Sequence, residues 1–422
     1  MKTQIMKKPL VAAVAACMLG SVALPAVAAD DAMMKRMEML ERELKALKTQ
    51  MAATAKAAPA SAAAPTVKVK NGGSLTFGGY LKADYRNVDG DINYQDYWRG
   101  NDAGGTDDTK HTKFNAKESR LNMKYQKGDV TGYVEIDFYG GDGNEVATNS
   151  ANPRLRHAFI KTGNWMVGQY WTNFSQLKAF PEALDFGGPI VAEVFVRQPQ
   201  IRYTNGNFAI SLENPETWGD GDFDSSANGG GNNGADLDED TPDLTATYKF
   251  NGDWGEVQVG ALVRKVDQGE ENETALAFNV GGRINVGERD DLRFQVNVGE
   301  SGRYVGAGMF QDIETDPEDG DIELEETTAY SIAYRHFWNN DWRSTVYYGA
   351  AESELLEQER SHWGVNLIRQ LSPGLTVGVE YGQYDIDDEY TSDGTTAAYS
   401  SGAGTPTNGD ASYLQMSWKY AL

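Results

Sequence analysis

Cysteine is nearly missing: the 422 residues carry one, Cys17. It sits in an apolar run from Leu10 to Leu24, behind Lys2, Lys7 and Lys8 and ahead of the small-x-small stretch Ala26-Val27-Ala28. That is the layout of an export signal, so residues 1–28 are expected to be removed, with Ala29 as the neighbouring cut. Val14-Ala15-Ala16-Cys17 also has the form of a lipobox, but the apolar run continues past it to a better site. A chain cut after Ala28 has no cysteine, which excludes disulfides, thiol chemistry and cysteine-bound metal.

Positive charge is also short. Lys and Arg number 38 against 62 Asp and Glu, a formal charge of −24. Loss of three lysines and no acids with the signal moves it from −24 to −27. Such a field repels nucleic acid, and no nucleic-acid partner is expected. Long hydrophobic runs are absent after residue 74: none reaches the ~18 residues of a membrane helix. Histidine is scarce as well. His111, His157, His336 and His362 assemble no Ser/His/acid constellation, so neither an enzyme nor a cofactor is expected, and His157 and His336 fall on the lipid side or the rim by parity. Asp220, Asp222 and Asp224 have the spacing of a calcium loop, but Ser225 replaces its glycine and the terminal Glu is missing. A solvated acidic loop, without metal, is the expectation.

What is present begins with a short heptad. Met33, Met37, Leu40, Leu44, Leu47 and Met51 alternate spacings of four and three, an a/d seam. Arg36 faces Glu41 and Glu43 faces Lys48 at the g-to-e offset of a parallel coil. Residues 29–51 are expected to form a coiled-coil helix; at under three heptads it needs something else to hold the copies together. An Ala/Pro-rich linker follows over 52–73.

From 74 to 422 the period changes to two. "SLTFGGYLKADYR", "DLRFQVNVG" and "YLQMSWKYAL" alternate apolar and polar side chains, the mark of strands. About 16 such segments start near 74, 112, 129, 154, 164, 199, 207, 243, 254, 273, 290, 326, 341, 359, 375 and 412. Many run to 9–13 residues, enough to cross a bilayer at a tilt. Short turns (127–129, 163–164, 206–207, 252–253, 339–341) alternate with long links (88–110, 218–241, 304–325, 387–410), and acids crowd those links as if in water. Tyr85, Trp165, Tyr170, Trp171, Trp254, Trp338, Trp342 and Trp363 fall near strand ends as interface girdles. The expected fold is all-β, a 16-stranded antiparallel transmembrane β-barrel. A secreted sandwich shares the alternation but not the strand lengths or the rhythm of turns.

One link departs from this texture. Ser175 to Gln198 is too apolar for water, with Phe180, Leu184, Phe186, Ile190, Val191 and Phe195. It is expected to fold inward as the third long loop. Irregular backbone is tolerated at membrane depth where it lines a water-filled cavity.

"PEALDFGG" is similar to the constriction-loop motif of general porins. "RQPQIRYTNG" after "LDFGGP", behind an N-terminal coiled coil, resembles the DcaP-like outer-membrane porins. That resemblance implies a homotrimer in the outer membrane of a Gram-negative bacterium, among its lipids and lipopolysaccharide. It also implies a periplasmic helix and uptake of small anionic solutes such as dicarboxylates. The last residue, Leu422, departs from the usual terminal aromatic.

Strand parity places Arg120, Arg154, Arg156 and Arg202 on the polar face, with Arg264, Arg283, Arg293, Arg335 and Arg343. An arginine facing lipid costs about 2–4 kcal/mol at the midplane, so the lumen is the cheaper side. Rings of arginine select anions. The expected constriction is Arg120, Arg154, Arg156, Arg197 and Arg202 with Lys178 nearby, faced by Glu182 and Asp185 on the loop. A saccharide-type or non-selective porin is the alternative; it needs an aromatic slide, for which Tyr80, Tyr133, Tyr139 and Tyr347 have the parity but are scattered.

Overall fold

The computed structural model describes residues 65–70, 72–92, 96–98, 109–141, 148–218, 239–268, 271–315, 322–355, 358–388 and 408–422. The expected signal, the heptad helix, most of the linker and Asp220, Asp222 and Asp224 lie outside the described residues. All described residues belong to one compact unit, Ser61–Leu422.

Sixteen antiparallel strands close into a barrel. In chain order they are β1 (Ser74–Gly90), β2 (Thr109–Asn115 and Arg120–Lys127), β3 (Val130–Asp137), β4 (Arg154–Thr162), β5 (Trp165–Trp171), β6 (Arg197–Asn205), β7 (Phe208–Glu213) and β8 (Asp243–Gly252). There follow β9 (Gly255–Gln268), β10 (Glu271–Val286), β11 (Asp290–Gly299), β12 (Thr327–Phe337), β13 (Trp342–Ser353), β14 (Gln358–Ser372), β15 (Leu375–Asp388) and β16 (Gly409–Ala421). Each pairs with its successor, and β1 closes on β16 from Tyr80↔Ala421 to Gly90↔Ala411. The second strand is interrupted at 116–119, and both pieces pair with β1. A short strand, Thr66–Lys68, pairs with the start of β1.

The alternation decides which side faces what. Phe278, Ile332 and Val346 are 50–56% exposed, whereas Gln295, Asn297 and Glu380 are at 1% or less. A water-soluble sandwich would do the reverse. Here the outward face is an apolar band and the enclosed face carries amides, acids and arginines, the pattern of a barrel in lipid. Trp165, Trp254 and Trp338 are exposed at the end with the short turns, as girdle residues should be. Tyr170 and Trp171 are not girdle residues: both rings turn inward against His157. Two of the short turns open on glycine in the left-handed region, Gly163 (φ 53°) and Gly206 (φ 60°), where a side chain would be strained.

Pro199 lies within β6, which begins two residues earlier than the expected start near 199. It is on the exposed face, and its carbonyl accepts from the Asn214 N–H at 3.0 Å. One strand changes phase. In β4 the ladder to β3 shifts between Glu135↔His157 and Ile136↔Leu155, leaving Arg156 as the extra residue of a bulge. Leu155 stays outside, but His157 and Phe159 pass to the inner side, contrary to the uninterrupted parity. His157 is 5% exposed.

The link from 304 to 325 is not a solvated loop throughout. Tyr304, Val305, Met309, Phe310 and Ile313 are buried, and so are Asp312 and Glu325. Val305 bridges to Val194, and Phe195 donates to the Tyr304 carbonyl at 3.0 Å. Two loops therefore pack together.

Candidate functional site

The segment between β5 and β6, residues 172–196, is held by side chains from many strands. Glu380 on β15 accepts from the N–H groups of Leu184 (2.7 Å) and Asp185 (2.8 Å). Lys82 on β1 donates to the Leu184 carbonyl (2.6 Å), and Gln295 on β11 to that of Ala192 (3.0 Å). Asn279 on β10 donates to Phe174 O at 2.7 Å. These partners share the enclosed face, so the segment lies against it. A Cβ built on Gly349 of β13 would come within 2.7 Å of Pro189 and 2.8 Å of Ala192. Glycine there lets the backbone of the wall approach the loop.

The expected arginines separate into groups. Arg120, Arg154 and Arg156 surround one ring: their guanidinium carbons lie 5.4, 5.9 and 5.8 Å from the Phe186 centroid. Arg154 chelates Asp137 at 3.0 and 2.7 Å. Arg156 bonds Glu135 (2.9 Å) and Asp137 (3.1 Å). Arg120 forms no hydrogen bond or ion pair among the described residues, although Glu118 and Glu135 share its cavity; it faces Phe186 and the Tyr80 ring (5.4 Å). Arg197 likewise forms no ion pair or hydrogen bond among the described residues; it lies over the Trp171 ring, at 5.3 Å, with a buried Nη1 that meets no acceptor. Arg202 donates to the Trp171 carbonyl at 2.6 Å. It opens with Lys178 into a separate cavity of about 240 Å³, so Lys178 does not join the arginines around Phe186.

The loop carboxylates Glu182 and Asp185 pair with other arginines. Glu182 reaches Arg343 (2.8 and 2.5 Å) and Arg335 (2.9 Å) on the far wall. Burial pushes its carboxyl up, but the two guanidiniums outweigh that and hold it at about 2. Asp185 pairs with Arg86 at 2.8 Å, both side chains fully buried. The loop thus turns its acids toward β1, β12 and β13 and presents Phe180, Phe186 and Phe195 to the arginines.

Between them is a cavity of about 840 Å³ that reaches from Phe186 down to Asp129, Lys161 and Gly163 at the short-turn end. Arg120, Arg156, Lys124 and Lys161 line it, with Glu118 and Glu135. Its aromatics are continuous. Tyr133 stacks on Phe159 (5.3 Å), Phe159 meets Tyr170 (5.2 Å), and Trp171 meets Phe180 (5.8 Å) and Phe195 (4.7 Å). Of the tyrosines expected to line the lumen, Tyr133 does so; Tyr347 is buried in a network with Tyr413 (2.8 Å) and Glu380 (3.1 Å).

Sequence reasoning missed the anchors. Lys82 and Arg86 had luminal parity, as did Arg335 and Arg343, but parity says nothing of which charges meet. It missed the second inward loop as well. Arg264 chelates Asp312 (2.5 and 2.9 Å), while Asp243 receives bonds from Arg303 (2.8 Å) and Tyr304 (2.6 Å). The apolar stretch "YVGAGMF" at 304–310 was the available sign.

A family model described as DcaP outer membrane protein matches residues 106–356. Among solved structures, the outer membrane channel DcaP of Acinetobacter baumannii is similar over 84% of this chain and 99% of its own, with a TM-score of 0.68 and 21% identity. OmpF of Salmonella typhi, in complex with daunomycin, is similar over 84% of this chain and 100% of its own, at TM-score 0.51 and 14% identity. An anion-selective porin from Comamonas acidovorans aligns over 83% of this chain and 100% of its own, at TM-score 0.50 and 13% identity. No curated protein matches the chain in sequence.

Proposed function

We propose a solute class for this chain, which belongs to the DcaP outer membrane protein family and is an outer-membrane channel of the porin type. It passes small hydrophilic solutes by diffusion and prefers anions, dicarboxylates in particular. The observation that carries this is the pair Arg120 and Arg197, two cations on the enclosed face that form no ion pair or hydrogen bond among the described residues, beside Arg154 and Arg156. The loop acids that would cancel them are engaged elsewhere, Glu182 with Arg335 and Arg343 on the far wall and Asp185 with Arg86 on β1.

Segment 172–196 acts as the constriction loop, and the bore runs between it and the arginines of β2, β4 and β6. A dicarboxylate there meets planar forks suited to two-point contacts. It relieves the repulsion among neighbouring guanidiniums, and water leads out of the ~840 Å³ vestibule on the short-turn, periplasmic side. Site strength stays modest, as conduction requires, because Asp137 and Glu135 already share Arg154 and Arg156. Residues 29–51 form a periplasmic coiled coil and 74–422 the barrel of a trimer.

Reversal potentials in a KCl gradient test this. Wild type should favour chloride, and succinate should interrupt the current. Cation preference with no succinate block would overturn the reading. The continuous aromatic run from Tyr133 to Phe195 supports a second reading, a saccharide path on which sugar rings slide. Current block by maltooligosaccharides but not by succinate would select it.

A further inference from the structure

We propose that the outer wall at β13–β15 holds a phospholipid of the inner leaflet, its phosphate on Arg369 and an acyl chain in the groove above. The proposal rests on the channel spanning a membrane; it does not depend on which solute passes.

The groove has a volume of about 690 Å³ and is lined by Trp338, Trp342, Val365, Leu367, Val379 and Tyr381. Its origin lies in the ladder. β13 and β14 pair at Trp342↔Arg369 and Arg343↔Ile368 and resume at Val346↔Val365. Across the two skipped pairs the Thr345 N–H is taken by the Asn366 side chain at 2.9 Å, and Trp338 is held back on Ser344 at 2.9 Å. The strands part there, and the apolar band dips.

Arg369 pairs across the ladder with Trp342, which lines this dip. It shares the outward parity of Val365, Leu367 and Leu371, and it is exposed. Its guanidinium has no hydrogen-bond or carboxylate partner among the described residues; its neighbour is the Trp342 ring, at 5.1 Å. A lipid-facing arginine is unfavourable at the membrane midplane and costs little near the interface. Arg369 is three residues before the end of β14 at a short turn, at the same end of the barrel as the exposed Trp338, and so lies at the headgroup level of that leaflet. An interfacial cation over an indole that itself lines an apolar groove matches a phosphodiester with its chain attached. A soluble phosphate would leave the groove uncovered. A second copy of the chain would have to place an acid against Arg369.

The experiment is native mass spectrometry of the full protein in detergent, titrated with phosphatidylglycerol, and with glycerol 3-phosphate as the chainless control. Expected is one retained phosphatidylglycerol per chain and none of glycerol 3-phosphate. Arg369→Ala should lower retention about tenfold, Trp342→Ala should weaken it, and Arg369→Lys should recover part of it. Single-channel conductance should be unchanged in all three, which shows the barrel intact. Equal retention by Arg369→Ala, retention of glycerol 3-phosphate alone, or disulfide-linked dimers from Arg369→Cys would each overturn the proposal.

Discussion

Arg120 and Arg156 approach the same ring, yet only Arg156 is ion-paired. That difference sets what each should do when removed. Arg156→Ala leaves Glu135 without its guanidinium, while Asp137 keeps Arg154, so its effect mixes selectivity with stability; breaking a buried pair costs up to about 3–5 kcal/mol. Arg120→Ala and Arg197→Ala strand no carboxylate. The double variant should therefore fold as wild type and lose most of its anion preference, with the chloride-to-potassium permeability ratio falling severalfold in planar bilayers. A double variant with the wild-type reversal potential would mean that the cation field comes from the paired arginines. The effect should be largest in dilute salt, since screening shortens from about 10 Å at 0.1 M to about 3 Å at 1 M. At this scale parity made the luminal arginines legible, because a charge has one affordable side of a lipid-facing wall. It failed at His157 and Phe159, since a single extra residue flips every following side chain and leaves no mark in composition. It also could not pair charges: Glu182 and Asp185 looked like the counter-wall and are instead the loop's fastenings.

Those fastenings act on an element as a unit. The loop is held at Glu182 by Arg335 and Arg343, at Leu184–Asp185 by Glu380 and Lys82, and at Pro189–Ala192 by contact with Gly349. Gly349→Leu should drive the loop off β13 toward the arginines and reduce single-channel conductance. Glu182→Gln should release the tip instead and give noisier current with sublevels. The same tether has a defined pH response. The Glu182 carboxyl is held at about 2 against an ordinary value of 4.5. A depressed acid contributes stability above the unfolded value that is lost as pH falls through the folded one, so the loss spans roughly pH 4.5 to 2. Current noise in wild type should stay low from pH 8 to about 5 and rise below about 4, whereas Glu182→Gln should be noisy throughout. The third loop was legible because apolar residues cannot lie in water, and the same logic applied to 304–310. There the acids that follow masked it, since Asp312 reads as solvated until Arg264 is seen beside it.

The barrel is asymmetric around its axis. Strands β3 to β7 hold 8, 9, 7, 9 and 6 residues, whereas β9, β10 and β14 hold 14, 16 and 15. Crossing a bilayer takes about 9–11 tilted residues, so most of the short sector falls below a full span and needs cover other than lipid. Its outer face offers an apolar row across β4, β5 and β6, with Ile160 opposite Val167 and Val167 opposite Ile201, each 49–60% exposed. In the proposed trimer this sector is where copies meet, and the heptad helix at 29–51 adds to a contact that the barrels already make. Deleting 29–66 should then leave the trimer intact by mass in detergent. Val167→Arg should give monomers of normal heat-modifiable mobility, because the charge falls in the contact. Val346→Arg, in the centre of the long sector, should lower the yield of inserted protein yet leave what inserts trimeric, because there the charge meets lipid at a cost of about 2–4 kcal/mol. Trimers from Val167→Arg together with monomers from Val346→Arg would place the contact on the opposite side of the barrel.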